Sequence, residues 1–137
     1  MIRNLEERDL EQALKLLEQL TVVGENFDYL SVFKAISENN DHHIFVYIFE
    51  KKVVGIATIF IEQKFIHSGK RVGHIEDVVV DKDHRDLKIG TKLLKHCIET
   101  GKQKNCYKII LDCDDKNVEF YTKNGFIKYG NSMKINF

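Results

Sequence analysis

Apolar and polar positions along this chain follow two periods, and the switches between them mark its elements. Residues 2–5 read as a short strand. Leu10, Ala13, Leu14, Leu16, Leu17 and Leu20 then recur at helical spacing within residues 7–20, which places one apolar stripe on one face. Asp9 stands where a carboxylate can cap free N–H groups at a helix start. Residues 21–24 form a loop, with Gly24 able to take a left-handed position. Residues 27–37 predict a second amphipathic helix, with Tyr29, Leu30, Phe33 and Ile36 facing inward. Residues 43–49 and 52–61 are runs of β-branched and aromatic residues joined at Glu50 and Lys51, a hairpin pattern. Gly55 inside the second run marks a bulge or a close backbone approach. Residues 66–71 are a turn with Ser68 and Gly69 at its tip.

Residues 72–80 end in the run Val78, Val79, Val80, as a buried strand does. Glu76 and Asp77 are adjacent within it, and strand alternation puts them on opposite faces. A carboxylate among apolar neighbours is costly unless it has a partner or a task, so the pair marks a candidate site. Residues 81–86 are polar. Residues 87–104 predict a helix with positions 87, 89, 93, 94 and 97 inside and Lys92, Lys95, Lys102 and Lys104 outside. A strand feeding a helix through a polar turn can hold a pyrophosphate, because the first N–H groups of the helix are unpaired and its dipole favours an anion. Arg85 and Lys88 add positive charge there. Alone the unit is unspecific, since many such connections bind nothing. Residues 106–113 read as a strand with Asp112 near its end. Residues 114–124 read as a helix carrying Asn117 and Tyr121 on one face and stopped by Gly125. Residues 126–129 and 132–137 predict two final strands.

The 137 residues suit one domain with its own core. Lys plus Arg and Asp plus Glu both total 21, so no net field draws the chain to nucleic acid or an anionic membrane. Cys97, Cys106 and Cys113 lack zinc-ligand spacing and read as reduced, buried core thiols of a cytoplasmic protein, with no metal expected. No apolar run reaches membrane-spanning length, and the charged N-terminus has no signal-like apolar stretch.

The segment Arg85-Asp86-Leu87-Lys88-Ile89-Gly90 resembles the Arg/Gln-x-x-Gly-x-Gly/Ala loop of the GNAT superfamily of N-acetyltransferases, which cradles the pyrophosphate of acetyl-CoA. Lys88 stands where that pattern most often has Gly. Four further stretches occur in the expected order over nearly the whole chain: Leu20-Thr21-Val22-Val23-Gly24, Lys64-Phe65-Ile66-His67, Gly73-His74-Ile75-Glu76-Asp77-Val78-Val79-Val80 and Cys106-Tyr107-Lys108-Ile109-Ile110-Leu111. Together they are similar to the branch of the superfamily that acetylates glucosamine 6-phosphate.

The resemblance implies an α/β (α+β) GNAT fold, a mixed, mostly antiparallel sheet of about six to seven strands flanked by about four helices. It implies acetyl-CoA as co-substrate, held by Val78, Val79, Val80, Arg85, Asp86, Leu87, Lys88, Ile89, Gly90, Asn117 and Tyr121. For the amino-sugar phosphate it implies Thr21, Lys64, His67, Glu76, Asp77, Leu111, Asp112 and Lys134. Lys134 stands in for a basic residue that the pattern places where this chain has Asn136. Glu76, Asp77 and Asp112 would orient the amine and hydroxyls, and a backbone N–H near Val78 would polarise the acetyl carbonyl. Tyr121 begins the superfamily pattern Tyr-x-x-x-Gly-Phe and would protonate the departing thiolate. Attack would be direct, in a ternary complex, as one step of UDP-N-acetylglucosamine biosynthesis. A homodimer is also implied, the last strand crossing to the partner. Two rival readings are an acetyltransferase for another amine and a non-catalytic acetyl-CoA-binding module. Thr21, Lys64, Glu76 and Asp77 present as a set weigh against the first, and Tyr121 weighs against the second.

Overall fold

In the computed structural model, which describes all 137 residues, the elements run β1 (Ile2–Asn4), α1 (Leu10–Leu17), α2 (Tyr29–Ser37), β2 (His42–Phe49), β3 (Lys52–Gln63), a single turn α3 (Ile66–Gly69), β4 (Arg71–Val80), α4 (Ile89–Gln103), β5 (Cys106–Ile110) and α5 (Val118–Lys123). The strands form one five-stranded sheet in the order β1-β2-β3-β4-β5. The first four are antiparallel, and β5 joins β4 in parallel. A parallel neighbour needs a long crossover, and α4 is that crossover.

The strand pattern assigns the two faces. Ala57, Ile59, Ile61 and Ile75 pack against Ile89, Leu93, Leu94 and Cys97 of α4. Val46, Ile56 and Val79 point the other way and pack against Ala13 and Leu16 of α1. Gly55 permits the first contact: a Cβ there would lie 2.7 Å from Ile89 and 2.8 Å from Leu93. It also sits beside a break in the β2–β3 register, since Tyr47 pairs with Gly55 but Ile48 with Val53. The expected bulge and close approach are both present.

Several expectations are corrected. Residues 126–137 form no strand, so the sheet has five strands rather than six or seven. Their alternating apolar residues, among them Ile127, Met133 and Ile135, stay exposed; strand propensity reflects packing on a neighbouring strand, and no edge of this chain receives the segment. Asp9 does not cap α1. It takes two hydrogen bonds from the Arg3 guanidinium, at 2.6 and 2.9 Å, and one from the Glu6 N–H at 2.9 Å; the Arg3 bonds above all hold its carboxyl below the usual carboxylate range. In α2 only Phe33 and Ile36 are partly covered, while Tyr29 and Leu30 are exposed. Its cap is Asp28, which accepts from the Ser31 N–H at 3.1 Å. Residues 82–87 are a 3-10 turn, so α4 begins at Ile89 and Leu87 is exposed outside it. Of the three thiols, Cys97 is buried, Cys106 half-buried and Cys113 exposed.

Candidate active site

The site is organised by what β4 does after His74. The ladder to β5 runs from Arg71–Cys106 to His74–Ile110 and stops there. β5 ends at Ile110 while β4 continues to Val80, so Val78, Val79 and Val80 face a gap on that edge. Backbone groups in such a gap are free to bind an incoming chain of atoms. Leu111 lies on the opposite wall and packs on the core.

Within the same stretch β4 carries one extra residue. Thr58 pairs with Glu76, yet Ile56 pairs with Val79. Asp77 takes the strain, with φ of 50°, a left-handed conformation that Asp tolerates better than most residues. The bulge overturns the expected alternation. Glu76 and Asp77 are consecutive exposed residues rather than one in and one out. Asp112, just past β5, completes a cluster of acids. Lost hydration, then the negative charges of Asp77 and Asp112, push the Glu76 carboxyl above the usual range. A group that holds a proton this readily can also receive one from an ammonium.

Tyr121 approaches from the other face. It is half-buried, its ring edge-on to Phe120 at 5.0 Å and Phe126 at 5.9 Å, and it packs against the α4 side of the core. Burial first, then the neighbouring Cys113 and Cys97, whose thiolates would repel a phenolate, push its hydroxyl up from the ordinary phenol value, so it remains a proton donor at neutral pH. Gly90 lets α5 come this close, because a Cβ there would meet the Phe120 ring at 3.2 Å. The acids thus lie toward the α1 face, Tyr121 lies toward the α4 face, and the gap between β4 and β5 joins them.

The residues at the start of α4 fit an anionic, phosphorylated co-substrate. No side chain caps α4, which leaves its first N–H groups available. Arg85 reaches back to the Val80 carbonyl at 3.3 Å, and Lys88 and Asp86 are exposed beside it. Lys88 has φ of 57° and ψ of 28°; the helical φ that would accommodate a side chain at this position is not what the backbone adopts. Asn117 is exposed at the start of α5.

On the acceptor side, Thr21 follows α1 and is exposed. Gln19 ties that segment to the end of β4: its amide donates to Asp81 at 2.8 Å and accepts from the Lys82 N–H at 3.0 Å. Sequence reasoning missed Gln19, since nothing in its neighbours announces a partner 62 residues away. Lys64 pairs with Glu62 at 3.7 Å, and Glu62 accepts from His74 Nε2 at 3.0 Å. The expected turn after Lys64 is α3, where His67 and Ser68 have φ of 50° and 59°. His67 stacks on Tyr107 with ring centroids 3.9 Å apart. Lys134 lies in the exposed tail and forms no ion pair, so the single chain does not bring it to the other acceptor-side residues. No group of three or more His, Cys, Asp or Glu side chains is placed to share a metal ion, and no helix is long and apolar enough to cross a membrane.

Comparison with known proteins follows the same outline. The model of the acetyltransferase (GNAT) family matches residues 5–126. The chain is 39% identical over 132 residues to glucosamine 6-phosphate N-acetyltransferase of Arabidopsis thaliana, covering 90% of this chain and 87% of that protein. It is 35% identical to the enzyme of the same name from Trypanosoma brucei brucei, covering 98% and 93% of the two chains. The crystal structure of glucosamine-6-phosphate N-acetyltransferase from Arabidopsis thaliana superposes with a TM-score of 0.94 at 37% identity, over 100% of this chain and 97% of that one.

Proposed function

The chain belongs to the acetyltransferase (GNAT) family, and from that premise we propose how it works as a glucosamine 6-phosphate N-acetyltransferase. It moves an acetyl group from acetyl-CoA to the amine of glucosamine 6-phosphate, giving N-acetylglucosamine 6-phosphate and CoA. The observation that carries the mechanism is the acid cluster on one face and Tyr121 on the other, joined by the gap where β4 leaves β5.

Acetyl-CoA supplies the activated acyl group and the thiolate leaving group. Val78, Val79 and Val80 present backbone to its acyl arm, and an N–H near Val78 stabilises the negative charge that develops on the carbonyl oxygen. Arg85, Asp86, Leu87, Lys88, Ile89 and Gly90 form the turn and helix start that take the pyrophosphate, and Asn117 at the start of α5 adds a further contact to the co-substrate. Glu76, Asp77 and Asp112 hold the ammonium and the sugar hydroxyls. Glu76, the acid whose proton affinity the fold raises, takes the amine proton, directly or through water. Tyr121 gives its hydroxyl proton to the departing sulfur. The amine attacks the thioester itself, with no acyl-enzyme.

Thr21, Lys64, His67 and Leu111 complete the acceptor pocket, Lys64 answering the phosphate as a compact charge. The pocket is finished by a second copy of the chain. The tail carries Ile127, Tyr129, Met133, Ile135 and Phe137 exposed, and α2 carries Tyr29, Leu30 and Val32 exposed, more apolar surface than a lone soluble domain usually shows. Lys134 then reaches the acceptor site of the partner. Light scattering should give a dimer; a monomer at assay concentration would remove Lys134 from the site.

The test of the reaction is a product assay by NMR or mass spectrometry, with acetyl-CoA and glucosamine 6-phosphate, glucosamine or spermidine as acceptors. Turnover of the phosphosugar well above the other two is expected. Turnover of another amine only would keep the donor side and discard the acceptor assignments.

A further inference from the structure

β3 is buried from Val53 through Ile61 with one exception, Phe60, which is 37% exposed. It is not an isolated surface residue. His42 of β2 and His74 of β4 stand directly opposite it in register, so three rings form a row across three strands on the α1 face. His42 meets Phe60 edge-on at 5.8 Å and 84°, and His74 lies tilted at 6.4 Å and 44°. Strands are about 4.8 Å apart, so the row is about 10 Å wide, broader than a six-membered sugar ring.

We propose that Phe60, flanked by His42 and His74, is the floor on which the pyranose ring of the acceptor lies, and so a specificity-determining residue. The inference rests on the amino-sugar phosphate reading. Its warrant is the position of the row between the two charged ends of the pocket. Glu76 is two residues beyond His74 on the same face, about 6.6 Å along the strand, and Asp77 acts on His42 through its charge. On the other side Glu62 accepts from His74 Nε2 and pairs with Lys64. An acceptor with its amine among the acids and its phosphate at Lys64 must carry its ring across Phe60. The C–H face of a pyranose is weakly positive, and the face of a benzene ring is negative. With Nε2 of His74 turned to Glu62, Nδ1 is the ring nitrogen left to meet a ring hydroxyl, which can donate to it or accept from it.

Two acceptors separate the ring from its charges: glucosamine 6-phosphate, and 2-aminoethyl phosphate, which has the amine and the phosphate without a ring. Phe60→Ala should raise the KM for glucosamine 6-phosphate about three- to tenfold, the scale of one aromatic contact. It should leave the KM for acetyl-CoA and the slow turnover of 2-aminoethyl phosphate within about twofold. Phe60→Leu, which keeps apolar bulk without a π face, should share the loss, and Phe60→Tyr should not. Equal losses on both acceptors, or no loss on either, would overturn the floor. So would a loss that tracks dissociation into monomers by light scattering, which would make this face a subunit contact. Wild-type protein that ignores glucosamine 6-phosphate would sink the underlying reading by itself, before any variant is compared.

Discussion

Over residues 71–74, β4 is bonded on both edges, to β3 and to β5; over residues 75–80 it keeps β3 alone. The first half slips by one residue against β5 only at its entry, where Arg71 pairs with Cys106 and Val72 with Lys108, and it contains Gly73, where an added Cβ would come within 3.1 Å of Ile59 and Ile109. The second half holds the bulge, the left-handed Asp77 and the two exposed acids. Composition does not separate them, since both mix β-branched residues with ionisable ones. What separates them is the neighbour. Where β5 continues, the backbone polar groups are spent on the sheet, and where it stops, no neighbouring strand takes them, though Arg85 meets the Val80 carbonyl. If that division is right, changes beneath the paired half should move stability, and changes around the gap should move activity.

Tyr121→Phe should give the largest effect on activity. Loss of a proton donor to the leaving group is expected to lower kcat by about 10²–10⁴ with little change in either KM. Thermal unfolding should be almost unmoved, because the hydroxyl makes no hydrogen bond within the chain. A kcat within a few-fold of wild type would mean that the sulfur leaves unassisted. Leu93→Ala tests the other side. Leu93 is fully buried under the sheet, and its truncation should cost about 2–5 kcal/mol in urea unfolding, while kcat of the remaining folded enzyme holds. A collapse of kcat at full folding would couple the two halves after all.

Glu76→Gln should move both quantities, in opposite directions. Acceptor kcat/KM should fall about tenfold or more through loss of a charged hydrogen bond and proton acceptor. Stability should rise at neutral pH. The Glu76 carboxyl binds its proton more tightly in the fold than in the unfolded chain, so its ionised form is the less favoured one in the fold, and wild type loses stability as pH climbs from the unfolded pKa through the folded one. The gain of the Gln variant over wild type should therefore be present at pH 7–8 and vanish below about pH 4. A gain that persists in acid would assign it to something other than this charge.

Most of the paired half was legible in the sequence. Alternation in β2, β3 and β4 and the helical stripe of α4 follow from which side chains must be buried, and Gly55 announced its own contact. The gap region was legible only as residue types. Glu76, Asp77 and Asp112 stood out as acids in apolar runs, but alternation placed the first two on opposite faces, because a bulge is a property of the pairing with β3 and leaves no mark in β4 alone. The tail misled for a related reason: residues 126–137 have the strand pattern, and a pattern becomes a strand only where an edge is available. Gln19 and the His42–Phe60–His74 row are products of register and could not be read from one segment.

Lys88 is where the gap half meets the scaffold, and Lys88→Gly should have the smallest effect with the clearest split. The left-handed backbone at Lys88 costs an ordinary residue about 1–2 kcal/mol, and glycine removes that penalty while adding freedom to the unfolded chain. The net should be a gain of about 0.5–1 kcal/mol in urea unfolding. The ammonium is exposed and forms no ion pair, so its loss does nothing to the fold but, on the proposed donor site, lowers the charge that would face the co-substrate phosphates. The KM for acetyl-CoA should rise about two- to threefold, with a weaker salt dependence than wild type. Lys88→Asn, whose side chain tolerates the left-handed region, should match the glycine variant in KM and show less of its stability gain. A KM that falls in the glycine variant would reverse the argument: the lysine would then stand in the way of the phosphate, and strain at this position would have no compensating charge.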